Sequence, residues 1–225
     1  MKILITSGST REPIDAVRFL GNRSSGKMGV AIAAAAVSRG HDVSAVVGAA
    51  SVSMPEGVAV QSVETTREMH DAVIKQWPAF DLLIMAAAVA DFRPVATSSG
   101  KMRREGRLTL ELEATEDILA AAGHLKSPRQ RLIGFSLDED SPGARQRAAG
   151  KIERKRLDLI VYNPLGTMDA EGISAELMWS DGKSRVVGSR SKREFADVLL
   201  EHAERLFEDQ AASQRPGSSV ARPDE

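Results

Sequence analysis

Five short runs of aliphatic and β-branched residues recur along the chain with helix-like segments between them. This alternation limits the fold more than any single motif does. The runs are KILIT (2–6), DVSAVV (42–47), DLLIMAAAV (81–89), RLIGFSL (131–137) and LDLIVYN (157–163). Continuous apolar runs of this length suit strands covered on both faces. Between them, residues 27–39 are Ala-rich and stop at Gly40, a residue suited to the position just past a helix. TTREMHDAVIKQW opens on Thr65 and places Met69, Val73 and Trp77 four apart. TEDILAAAG offers Thr115 as an N-cap and Gly123 as a stop, and 141–154 is basic and amphipathic. Strand and helix taking turns argue for a parallel sheet with helices on both faces. In SAELMWSDGKSRVVG (174–188), Asp-Gly between two strand-like runs predicts a hairpin, and a last helix is expected over 192–207. The expected fold is therefore a Rossmann-like three-layer α/β fold with a mostly parallel sheet and a C-terminal β-hairpin. Residues 1–208 form one domain, long enough to bury a sizeable core. The polar, Pro/Gly/Ser-rich stretch 209–225 reads as a disordered tail.

Charge narrows the partners. Lys plus Arg number 30 against 31 Asp plus Glu, a formal net charge of -1, so bulk electrostatics predict no nucleic-acid partner. Only Lys101 to Arg107 is locally basic. It lies in a stretch, 91–107, whose Pro, Gly, paired Ser and basic residues read as a long mobile loop. The chain has no cysteine, which excludes disulfides, thiol nucleophiles and zinc–cysteine sites. MKILITSG shows no signal-peptide pattern, and VAIAAAAV (30–37) is too short to span a bilayer. A cytoplasmic protein without membrane contact is expected.

GNRSSGKMG (21–29) imitates a phosphate loop. Gly21, Gly26 and Lys27 fit G-x-x-x-x-G-K-[ST], but Met28 stands where the magnesium-binding hydroxyl belongs. The first strand also ends near Gly8, with STREPIDAVRFL intervening, so this is not an NTPase loop. A phosphate can still be held there, because SSGKMG leads into a helix whose first N–H groups and dipole favour an anion. The dipole contributes roughly 0.3–1 kcal/mol and each charge-assisted hydrogen bond about 1.5–3 kcal/mol. On spacing alone, Asn22 to Ser25 serve equally well as a simple helix cap. After the first strand, TSGSTREP has one glycine where a dinucleotide fingerprint needs three, which disfavours an NAD(P)-linked oxidoreductase.

Taken in order, ITSGSTREPIDAVRFLGNRSSGKMG, AAAVADFRP, KMRR, DIL, GF and KIERKRLDLIVYN resemble the phosphopantothenate–cysteine ligases across residues 1–207. Membership would imply a ligase that joins 4'-phosphopantothenate to cysteine in coenzyme A biosynthesis. In the bacterial branch, CTP and Mg²⁺ first give an acyl-cytidylate, and cysteine then displaces CMP. The resemblance also implies a homodimer, to which the 174–188 hairpin would lend an edge. In many bacteria the ligase is fused behind a flavin-dependent decarboxylase. This chain begins at the ligase, so a separate decarboxylase partner is expected.

The resemblance assigns roles residue by residue. Ser24, Ser25 and Gly26 would seat the acid's phosphate, and Arg18 would help bind its anionic groups unless it is a plain surface residue. Asn22 would support the acyl-nucleotide and its attack by cysteine, since an amide donates to a developing oxyanion without adding charge. Met85, Ala86 and Ala87 would let the nucleotide approach the backbone at the mouth of the sheet, beside Asp91, which is otherwise a common turn former. Asp117 and Ile118 would border the same nucleotide. Lys101 would ride on a lid that closes over the reacting phosphates; without the resemblance it is a solvated basic tip. Lys151 and Lys155, four apart, would clamp the triphosphate as two unpaired ammoniums. Phe135 would pack on the base or belong to the core. Asn22 and Lys101 are the candidate catalytic residues.

The chain also departs from the family. It has Thr115-Glu116-Asp117-Ile118 for NPDI, GFSLDED for GFAAET and KMRR for KIKK. An added Glu116 is expected to disfavour a triphosphate, and Leu137 to change the fit of the base. These departures keep a second reading in play, a non-catalytic homologue that binds a nucleotide or phosphopantothenate.

Overall fold

The computed structural model describes residues 1–104, 106–139, 141–167 and 172–213. Its main sheet has eight strands. Six are parallel: β1 (Lys2–Ser7), β4 (Asp42–Val47), β5 (Ala59–Ser62), β6 (Leu82–Met85), β9 (Arg131–Asp138) and β10 (Leu159–Pro164). The hairpin β11 (Gly172–Trp179) and β12 (Ser184–Ser191) adds antiparallel to one edge, giving the order β5-β4-β1-β6-β9-β10-β11-β12. The expected α/β architecture and hairpin are present. From β1 the chain winds outward to β4 and β5, then returns to β6 on β1's other side. That reversal opens a crevice at the carboxyl ends of β1 and β6, where open α/β sheets bind ligands.

Strand alternation builds the two cores. Ile3, Ile5, Leu82 and Ile84 face α1 (Lys27–Ser38) and α5 (Lys192–Ser213), meeting Ile32, Ala36, Phe195 and Leu199. Leu4, Leu83 and Met85 face the opposite layer of α2 (Thr66–Gln76), α3 (Ile118–Leu125) and α4 (Pro142–Arg154). There Met69, Val73 and Trp77 are fully buried, as their spacing predicts. Thr65 caps α2, accepting from the Glu68 N–H.

Several boundaries differ from the sequence reading. β6 ends at Met85 because the following peptides bond to the turn after β1. Ala87 N–H donates to Thr6 Oγ1 (3.1 Å), Ala88 N–H to the Gly8 carbonyl (2.8 Å) and Ala90 N–H to Thr10 Oγ1 (2.8 Å). α3 is capped by Asp117, not Thr115, and runs through Gly123 to Leu125. Edge strand β5, exposed throughout, has no apolar run to announce it. Two short ribbons were also not anticipated: β2 (Arg11–Pro13) with β3 (Phe19–Gly21), and β7 (Phe92–Pro94) with β8 (Leu112–Ala114). The presumed loop at 91–107 is thus largely the tip of the second ribbon. α5 carries on to Ser213, five residues into the stretch expected to be a tail, and 214–225 lie outside the described residues.

Candidate functional site

A cleft of about 850 Å³ lies over the β1/β6 crevice. One wall is the loop 22–26 and the start of α1. Gly26, at φ 78°, is the N-cap and contributes no side-chain cap. None of Asn22 to Ser25 caps the helix, so the alternative of a simple cap loses its basis; Ser24 Oγ only accepts from the Gly26 N–H at 3.4 Å. α1 sits hard against β1 at this end. A Cβ on Gly29 would lie 2.3 Å from Ser7 Oγ, and Ser7 Oγ itself donates to the Gly26 carbonyl at 3.1 Å. The uncapped start of α1, with no acidic residue in its first turn, is therefore held rigidly at the cleft, in the geometry that favours an anion.

Asn22 joins this wall to the next. Its Nδ2 donates to the Val89 carbonyl at 2.8 Å, across the loop that leaves β6. A primary amide has two N–H donors, so one remains for a bound group. Met85, Ala86, Ala87 and Asp91 line the floor between, with Met85 almost wholly buried.

The far wall carries two lysines of α4 and its C-cap, Lys151 and Lys155. Lys155 Nζ pairs with Asp117 at 2.9 and 2.8 Å, and Lys151 Nζ donates to Ser136 Oγ at 3.0 Å. Neither lysine is unpaired, contrary to the sequence reading: the N-cap of α3 and the end of β9 reach them first. Burial, and next Lys155, push the Lys151 ammonium below the ordinary lysine range. For Asp117, burial pushes upward, but the Lys155 hydrogen bond and the Ala120 N–H outweigh it and hold the carboxyl low. Ile118 and Phe135 complete this side.

Glu116 also borders the cleft, but its charge is met by two arginines. Arg93 Nη1 reaches both carboxylate oxygens at 3.0 Å, and Arg67 Nη2 one of them at 2.8 Å. Arg93 Nε also pairs with Glu113 at 2.8 Å, so the four side chains are neutral together and Glu116 borders the cleft as a paired rather than a bare charge. Leu137 lines the cleft beside Phe135.

The structure thus gathers Asn22, Ser24, Ser25, Gly26, Met85, Ala86, Ala87, Asp91, Asp117, Ile118, Phe135, Lys151 and Lys155 around one cleft. Arg18 and Lys101 are elsewhere, lining a second concavity with Arg103, Arg104 and Arg107. Sequence reasoning missed Asn163 and Lys192 in the main cleft. Asn163 was within reach, as a polar residue at the carboxyl end of a parallel strand; Lys192, brought in by α5, gave no signal.

Among the described residues, no group of three or more His, Cys, Asp or Glu could hold a metal ion. Magnesium at nucleotide sites needs no such cage, since substrate phosphates, waters and one or two carboxylates suffice. Of the cleft carboxylates, Glu116 and Asp117 are in ion pairs, and Asp91 fits that role. No helix among the described residues is long and apolar enough to cross a membrane.

The profile of the DNA/pantothenate metabolism flavoprotein C-terminal domain family matches residues 1–206. The coenzyme A biosynthesis bifunctional protein CoaBC of Mycobacterium tuberculosis is 40% identical over 213 residues, covering 89% of this chain and 51% of the relative. CoaBC of Bacillus subtilis is 38% identical over 206 residues, covering 88% and 50%. The chain therefore spans about half the length of these relatives. A crystal structure of the C-terminal domain of CoaBC superposes with a TM-score of 0.80 at 36% identity, covering 92% of this chain and 96% of that one. A Cab2 variant in complex with phosphopantothenate-cysteine shares the fold, with a TM-score of 0.79 at 16% identity over 96% of this chain and 89% of that one.

Proposed function

Because the chain belongs to the DNA/pantothenate metabolism flavoprotein C-terminal domain family, we propose that it is a ligase joining 4'-phosphopantothenate to cysteine through an acyl-cytidylate. The observation that carries this reading is one cleft with an anion seat at each end, the uncapped start of α1 facing Lys151 and Lys155. A phosphorylated acid and a nucleoside triphosphate are two anions that must meet, and such a cleft brings them together.

In the first step the acid's carboxylate oxygen attacks the α-phosphorus of CTP. The bond to the β-phosphate oxygen breaks, and pyrophosphate leaves. The cysteine amine then attacks the acyl carbon, the bond to CMP breaks, and the amine proton passes to solvent. Ser24, Ser25 and the amides at the start of α1 hold the acid's phosphate. The remaining Asn22 N–H donates to the oxyanion that develops on the acyl group. Lys151 and Lys155 bind the triphosphate, with the small residues Ala86 and Ala87 admitting the nucleoside. Asp91, with the substrate phosphates, would hold Mg²⁺, which would supply charge neutralisation. Two copies of the chain work as a homodimer, and sedimentation at working concentration checks this.

The test is pyrophosphate release by the purified chain with phosphopantothenate and Mg²⁺, comparing CTP with ATP, with and without cysteine. Release with CTP, and amide product only when cysteine is added, is the expected result. A folded protein that binds phosphopantothenate yet releases nothing with any nucleotide would instead establish the non-catalytic homologue.

A further inference from the structure

Lys101 sits well away in sequence from everything that holds its loop. Met102, the next residue, has both of its backbone polar groups gripped by one pair of side chains. Its N–H donates to Asp15 Oδ2 at 3.1 Å, and its carbonyl accepts from Arg18 Nη2 at 2.7 Å. The same two side chains bond to each other at 2.8 Å. Three residues before Lys101, the Ser98 N–H donates to the Ile14 carbonyl at 3.1 Å. The turn 14–18 therefore holds the chain on both sides of Lys101, which is itself exposed.

Asp15 is built for this task. Its side chain has 0% exposure, although a carboxylate is rarely buried without compensation. Its other oxygen accepts from the Val17 and Arg18 N–H groups at 2.8 and 2.7 Å. Burial pushes its pKa upward, but these N–H groups, the Met102 N–H and the Arg18 charge outweigh it and keep the carboxyl ionised. The turn could be closed by the local bonds to Val17 and Arg18 alone. What they leave over, one buried carboxylate oxygen and one guanidinium, is aimed at a peptide group 84 and 87 positions away.

We propose that Asp15, acting with Arg18, is a positioning residue for Lys101: it fixes the backbone of the loop outside the main cleft that carries this lysine, to which the family resemblance gives a role at the reacting phosphates. The proposal rests on the ligase reading above. Arg18 accordingly acts on the loop, and its guanidinium is already engaged there before any acid arrives.

The test pairs kinetics with a readout independent of activity. In Asp15→Asn the side chain keeps its shape, but an NH₂ group then faces two donors, Met102 N–H and the Arg18 guanidinium. Trypsin should cut the variant after Lys101, Arg103 and Arg104 several-fold faster than the parent chain. Its kcat for pyrophosphate release should fall roughly ten- to a hundredfold, with the KM for phosphopantothenate little changed. Lys101→Gln should lose kcat similarly, and the double variant should be no slower than Lys101→Gln alone. Should Asp15→Asn fail to fold, Arg18→Leu makes the same comparison from a side chain that is 43% exposed, removing the donor to the Met102 carbonyl and the ion pair to Asp15 while leaving the Met102 N–H bond to Asp15 in place. Parental trypsin rates would overturn the grip on the loop. Faster cutting with additive losses in the double variant would overturn the link to Lys101. If the parent chain releases no pyrophosphate at all, the ligase reading has failed, and the grip is then decided by trypsin alone.

Discussion

Replacing Gly123 by Ala tests how the far wall of the cleft is held. Gly123 lies in the last turn of α3, packed on the C-terminal end of α4. A Cβ there would stand 2.0 Å from the Lys155 carbonyl oxygen and 2.9 Å from its carbon. Contact at 2.0 Å is about 1.4 Å short of the 3.4 Å at which ordinary packing begins, and the obstacle is backbone. α3 must therefore retreat from α4, at an overpacking cost of about 1–3 kcal/mol. For a domain of this size that corresponds to a Tm lower by about 2–12 °C. The retreat also separates Asp117, the N-cap of α3, from Lys155, the C-cap of α4, which now pair at 2.8 Å. A misplaced Lys155 should raise the nucleotide KM roughly tenfold, the value of one charge-assisted contact. Thermal denaturation and the KM for CTP are measured side by side. Gly150→Ala provides the control: that glycine is in α4 with open space around it, so the same substitution should stabilise by about 0.5–1 kcal/mol. Parental Tm and KM in Gly123→Ala would refute the close-packing argument. A lowered Tm with an unchanged KM would refute its extension to the cleft.

Asn22→Asp would set a carboxylate oxygen against the Val89 carbonyl, now 2.8 Å from the amide nitrogen; amide formation should slow at least tenfold while CTP still binds, as a quench of the two half-reactions would reveal. Arg93→Leu would remove the shared partner of Glu113 and Glu116, turning a neutral cluster net negative; the CTP KM should rise several-fold, most at low salt, and an unchanged KM would place the cluster outside the nucleotide's field. Away from the cleft, Glu204 bonds to Arg39 and His41 and is held from an ordinary 4.5 down to about 2, chiefly by the Arg39 hydrogen bond. Such a group stabilises above its unfolded pKa and loses the contribution as pH falls from about 4.5 towards 2. The shift allows at most ~3 kcal/mol, and residual hydration reduces it to about 1–2 kcal/mol. Glu204→Gln should therefore lower Tm at pH 7, with the difference from the parent closing in acid; a constant difference across that range would contradict the assignment.

What the sequence disclosed follows the range of the interactions involved. β1, β4, β9 and β10 are announced by runs of buried aliphatics, because a strand covered on both faces must be apolar along its length. Helix α2 is announced by its four-residue spacing and by Thr65. Gly123 shows the limit of such reading: a glycine after an apolar helical stretch looks like a stop, yet here it marks where a neighbouring backbone leaves no room for Cβ. β5 and the ribbons were silent, since strands of three or four mostly exposed residues carry no periodicity. The members of the site were legible from motif order, whereas their partners were not. Glu116 with Arg93, Asp117 with Lys155, and Asp15 with Met102 are separated by 23, 38 and 87 positions, and no local pattern links them.

Those hidden partners change how the cleft must work. A lysine already bonded to Asp117 does not present a bare ammonium, so an incoming phosphate must share or displace a carboxylate whose own charge is well stabilised. A singly charged ligand gains little from that exchange, because it trades one ion pair for another. On the proposed ligase reading, a triphosphate brings several charges and would also meet Lys151, whose ammonium is held by a neutral hydroxyl and destabilised by burial and by Lys155. Relief of that destabilisation favours the multiply charged ligand specifically. On that reading, the pairing of the lysines before binding favours a polyphosphate, alongside the other cations that line the cleft, Arg23, Lys27 and Lys192.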